Sequence, residues 1–149
     1  MKKFGFLVTG VIVGVAVNVY DYLVHDLLLL RLLYNKLPIM RYGSVTSQTT
    51  LVSDAAVPLF ILADFIAAFI FVAFYSWVYK SISSGTRGGI QFGLATGVLI
   101  NIPIWFVCSL QLNSFPFVLA IAWTLAGMGW TIVAGIFTAI FFKKKNVSN

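Results

Sequence analysis

Residues Pro58 to Tyr79 read PLFILADFIAAFIFVAFYSWVY, an unbroken apolar run whose one charge is Asp64. About 20 apolar residues in a helix, rising ~1.5 Å each, cross the ~30 Å hydrocarbon core of a bilayer. A strand crossing the same layer would alternate apolar and polar residues with a period of two, and this stretch has no such alternation. It reads as a transmembrane helix, and three similar runs accompany it. The first begins at Phe4 and extends to about Asp26. The third runs from about Gly88 to Leu110 and the fourth from about Phe115 to Phe142, both without a charge.

The composition agrees. The chain has 149 residues, of which 60% are hydrophobic and 9% charged, with a mean hydropathy of +0.99. Soluble domains carry about 25% charged residues, so a water-soluble fold is excluded. The expected fold is all-α: one transmembrane domain over residues 1–149, an integral membrane four-helix bundle. A single cysteine, Cys108, excludes an internal disulfide and a multi-cysteine metal site, and reads as a small packing residue.

Basic residues orient the bundle. Lys2 and Lys3 precede span one, Lys80 and Arg87 separate spans two and three, and Lys143, Lys144 and Lys145 follow span four. These seven share one side, against Arg31, Lys36 and Arg41 on the other, so both termini are expected in the cytoplasm. The location expected is the bacterial inner membrane, with the lipid bilayer as first partner and the lysine tail on anionic headgroups. The net charge of +6 is thereby used up in membrane flanks, and nothing points to nucleic acid. Met1-Lys2-Lys3 resembles the start of a signal peptide, but the apolar run is long and no small-x-small site follows, so span one is expected to be retained.

Residues 27–57 form the longest outer connection. Leu27 to Leu37 is too apolar for a free loop and reads as a helical extension or an interfacial segment, with Arg31 and Lys36 reaching the headgroups. Ser44 to Ser53 reads as a loop, Ser81 to Gly89 as a flexible turn, and Gln111 to Ser114 as the turn of an antiparallel hairpin.

Helices in lipid associate through close packing and polar contacts. Gly10 and Gly14 form one four-residue ridge on span one; Gly89, Gly93 and Gly97 form another on span three. Ala122, Ala126, Thr131 and Gly135 are small positions on span four. The ridges are expected to serve packing within the chain, with self-association as the alternative. Leu7 to Val13 (LVTGVIV) resembles Leu94 to Ile100 (LATGVLI), which hints at a duplicated hairpin. Pro103 removes a donor inside span three, beside Asn101. Trp77, Tyr79 and Trp105 read as interface anchors, and Trp123 and Trp130 as core packing or a binding wall.

Polar residues inside a span are costly and mark functional candidates. Asn18, Asp21, Tyr22 and His25 recur at three- and four-residue spacing and share one helix face. Asp64 lies roughly 9 Å from Pro58, Asn101 roughly 18 Å from Gly89 and Asp21 roughly 25 Å from Phe4, all in the outer half of the membrane. The six residues are expected to converge as a polar cluster. Asp21 and His25, at i and i+4, are placed to share a proton, with Asp64 as a second acid; a purely structural network is the alternative. Asp26 faces the outer interface or pairs with Arg31 or Lys36. One histidine and no H-E-x-x-H motif leave no metal site, and no nucleophile constellation or P-loop ending is present. No cofactor and no enzymatic activity are expected.

The segment Asn18-Val19-Tyr20-Asp21-Tyr22-Leu23-Val24-His25 resembles the end of span one in a group of short bacterial four-span membrane proteins with no assigned activity. Arg87-Gly88-Gly89 resembles their entry to a Gly-rich third span, and Lys143 to Lys145 their charged tail. In that pattern a Gly often follows the His, where this chain has Asp26. The resemblance implies a four-span fold in which the Asn-Asp-His face belongs to the core. The function expected first is a non-enzymatic accessory or structural subunit of a larger membrane complex. The alternative is an oligomeric small transporter or channel in which Asp21, His25 and Asp64 handle protons or a cation.

Overall fold

The computed structural model describes residues 3–37, 57–111 and 115–142. These residues are all-helical. Helix α1 (Lys3–Asp21) continues as a π-helix (Tyr22–Leu29), an α-turn (Leu30–Leu32) and a 3-10 turn (Tyr34–Lys36). Then come α2 (Val57–Val78), α3 (Gly85–Gln111) and α4 (Phe117–Phe141). Among the described residues four helices are long and apolar enough to cross a membrane, namely Gly5–Leu32, Val57–Val78, Gly85–Gln111 and Phe117–Phe141. Span one thus runs helically past Asp26 to Leu32. The Ser44 to Ser53 loop, the 112–114 part of the hairpin turn, Lys2 and the Lys143 to Lys145 tail lie outside the described residues.

The glycine ridges determine which helices touch. Gly10 and Gly14 are buried on α1, and a Cβ on either would run into the ring of Phe69 or Phe65 on α2. Gly89 and Gly93 are buried against the α4 backbone at Gly135 and Thr131, and Gly97 meets Met128 and Thr131. Rising residue numbers on α3 meet falling numbers on α4, so the pair is antiparallel. Without side chains in the seam the backbones come close, the means of association available where lipid removes any hydrophobic drive. Helix α1 also meets α4, where the Tyr20 hydroxyl donates to the Ala126 carbonyl at 2.9 Å and fills the space over Gly129.

The bundle closes at one end. Phe71 and Tyr75 of α2 pack edge-on against Phe92 of α3 at 5.1 and 5.3 Å, and Tyr75 meets Phe142 at 5.3 Å. Phe71 also lies 6.3 Å from Trp130. Val13, Val17, Ala68, Val72 and Ala134 complete this core. Edge-to-face rings contribute beyond their buried area. Elsewhere large apolar side chains face outward, Leu99 at 75% and Leu59 at 65% exposure, as a lipid-facing surface requires.

Three buried hydroxyls bond back along their own helices: Thr9 to Gly5, Thr138 to Ala134 and Thr131 to Met128. Such bonds satisfy polar groups where no water reaches. Helix α3 contains Pro103. The Asn101 amide bonds the Gly97 carbonyl at 3.1 Å, not the Leu99 carbonyl that Pro103 leaves without its i+4 donor.

Candidate functional site

At the end opposite the aromatic plug, α1, α2 and the start of α4 part around a cavity of about 1030 Å³. Asn18, Asp21, Tyr22, His25 and Asp26 line it from the α1 side, Val57, Phe60, Ile61 and Asp64 from α2, and Phe115, Leu119 and Trp123 from the α4 side. Leu119 and Trp123 stand one turn apart on α4, and Phe115 lies just before the helix begins.

The π-helix explains how so many polar residues reach one wall. Its bonds close wider turns, as where the Leu30 amide bonds the His25 carbonyl. Residues four and five apart therefore lie nearly above one another. Asp21 is followed at those intervals by His25 and Asp26, and all three line the cavity. In a continuous α-helix Asp26 would turn away from Asp21 by more than a third of a circle. π-Helical turns concentrate at functional sites.

Asp21 and Asp64, both half-buried, bring their carboxyl groups together between α1 and α2. An ionised carboxylate has only acceptors, so a bond between two carboxyls requires a proton on one of them. Asn18, one turn before Asp21, donates its amide to the Gly14 carbonyl at 2.8 Å.

His25 takes a different partner. Its Nδ1 lies 2.7 Å from the Tyr34 hydroxyl, which also accepts the indole N–H of Trp123 at 2.7 Å. Burial pushes the Tyr34 phenol above its ordinary value, so it keeps its proton at neutral pH. The arrangement that gives each donor one acceptor runs from Trp123 to Tyr34 to His25 Nδ1. It leaves the imidazole proton on Nε2. Trp123 is held in turn by Trp105 at 4.6 Å and Phe115 at 5.3 Å, both edge-on.

Of the six residues expected to converge, Asn18, Asp21, Tyr22, His25 and Asp64 line the cavity. Asn101 does not join them. It lies on the α3–α4 seam, where its side chain occupies the space a Cβ on Gly127 would need. Tyr34, Phe115, Leu119 and Trp123 belong to the site without having been expected there as a group. Leu119 and Trp123 had a legible four-residue spacing, whereas Tyr34 follows a change of helix type that residue counting does not reveal. Among the described residues no group of three or more His, Cys, Asp or Glu is arranged to hold a metal ion.

Comparison with known proteins finds no matching family model, no matching curated protein and no matching solved structure.

Proposed function

We propose that this chain is a small multi-pass protein of the bacterial inner membrane that handles a proton or a cation in the cavity between α1, α2 and α4. Both termini lie in the cytoplasm in this reading, because Lys80 and Arg87 flank the plugged end of the bundle. The cavity then opens towards the outer face. The single observation carrying the proposal is the meeting of the Asp21 and Asp64 carboxyls at the wall of a cavity of about 1030 Å³. Ionisable groups inside a membrane are expensive, and they pair, or face cavities that serve ions, substrates or proton relays. A merely structural polar network would fill its space; this one borders an open volume.

In this reading the work is non-enzymatic. The plug formed by Phe71, Tyr75, Phe92 and Phe142 closes the inner end. Passage through the membrane then requires the plug to open, which is the alternating access of a carrier rather than a standing pore.

The test is proton or cation flux into liposomes reconstituted with the purified protein. Wild type is expected to conduct, and Asp64→Asn and Asp21→Asn to lose flux while eluting as folded protein. Gentle detergent extraction from the native membrane provides the second arm. A stoichiometric larger partner, with no flux from the isolated chain, would replace this proposal with the accessory-subunit reading.

A further inference from the structure

We propose that the ligand of this cavity is an amphiphilic organic cation, taken up in exchange for the proton that Asp21 and Asp64 share. The inference rests on the transport reading above and names its substrate class.

Size comes first. A volume of about 1030 Å³ lies at the top of the roughly 300–1,000 Å³ range of pockets that enclose drug-sized molecules. It is far larger than a coordinated ion needs. A bare divalent metal also requires several close oxygen or nitrogen ligands, and no such group occurs among the described residues.

Charge comes second. Three of the chain's four acidic residues, Asp21, Asp26 and Asp64, line the cavity. Among the described residues no Lys or Arg lines it, so an anion would find no counter-charge there. The wall chemistry completes the case. Tyr22, Phe60, Phe115 and Trp123 present aromatic surface, and ring faces attract weakly hydrated cations. Val57, Ile61 and Leu119 add apolar area for an organic body.

The exchange follows from the carboxyl pair. With one proton the pair carries one negative charge, and a cation seated beside it favours ionisation of the second carboxyl, so the shared proton is displaced. When the cation enters, the O–H bond of the protonated carboxyl breaks and the proton leaves to water. The two resulting carboxylates face one monovalent cation, and the net charge of the cavity is unchanged. The other titratable groups around the pair are Tyr20, Tyr22, His25 and Asp26 on span one and Tyr34 behind His25. Helix α4 contributes no titratable group to the lining.

The test uses the full chain in mild detergent with tetraphenylphosphonium as probe. Tetraphenylborate, similar in shape and opposite in charge, is the control. Expected results are saturable binding of the cation at least tenfold tighter than the borate, tightening as the pH rises. Up to one proton should be released per cation in weak buffer. Asp21→Asn and Asp64→Asn should each bind at least tenfold more weakly and release no proton. The wild-type comparison of the two probes needs no variant to fold. Equal binding of both probes would show a lipid-like pocket and overturn the inference, as would cation binding untouched by both variants. Proton flux without cation binding would also overturn it, yet leave the transport reading standing. Cation binding without flux would support the ligand assignment and overturn transport. Neither binding nor flux would overturn both.

Discussion

The indole N–H of Trp123 donates to the Tyr34 hydroxyl at 2.7 Å, a bond between residues 89 positions apart. It ties the 3-10 turn beyond span one to α4, and the same hydroxyl continues to His25 Nδ1 at 2.7 Å. Tyr34→Phe keeps the ring and strips both bonds, leaving an indole donor and an imidazole nitrogen unpaired. Polar contacts between membrane helices contribute roughly 0.6 to 1.7 kcal/mol each. The variant should therefore lose about 1–3 kcal/mol in reversible unfolding, with a shift in tryptophan emission. Unchanged stability and emission would mean that the bond does not hold the turn in place.

Gly93→Ala and Gly10→Ala should differ although both add one methyl to a buried ridge. At Gly93 the new Cβ meets the α4 backbone, with Ile132 Cα at 2.7 Å and the Thr131 carbonyl carbon at 2.8 Å. Backbone cannot step aside, so the α3–α4 pair must separate, costing about 1–3 kcal/mol by the usual overpacking penalty. At Gly10 the obstacle is the outer part of the Phe69 ring, which can rotate. Thermal unfolding in detergent should rank Gly93→Ala well below Gly10→Ala. The reverse order would contradict the seam geometry.

These ridges also show what the sequence made legible. Four-residue glycine spacing survives translation into structure because a straight α-helix preserves it. The apolar lengths of the spans are legible for the same reason. The polar wall is harder. Asn18, Asp21 and Tyr22 could be read together from α-helical spacing, but Asp26 reaches that wall through the π-helix, and no residue pattern announced one. Asp21 seemed matched to His25 by i, i+4 spacing, yet the carboxyl that meets it is that of Asp64 on another helix. His25 turns to Tyr34 instead. Partner choice across helices depends on how they rotate about their axes, and depth along the membrane does not supply that angle. Asn101 illustrates the same limit: similar depth, different face.

Asn101→Ala is therefore expected to leave the cavity alone. The lost side chain bonds a carbonyl of its own helix and packs over Gly127. Its removal should lower stability by about 1 kcal/mol. Flux and tetraphenylphosphonium affinity should stay within twofold of wild type. A large loss of either, with stability intact, would put Asn101 back among the groups that serve the site.

A pair of double-mutant cycles separates the two possible partners of Asp21. Residues that share a hydrogen bond show coupling of about 0.5–3 kcal/mol, whereas independent sites add within about 0.5 kcal/mol. Asp21→Asn with Asp64→Asn should show the larger coupling, because each single change alters the group that the other residue meets. Asp21→Asn with His25→Ala should be closer to additive, since the bond His25 loses belongs to Tyr34. The readout is unfolding free energy, which does not depend on knowing the ligand. Strong coupling only in the histidine cycle would mean that the proton moves between Asp21 and His25. The carboxyl pair would then lose its place as the group that exchanges a proton for a cation.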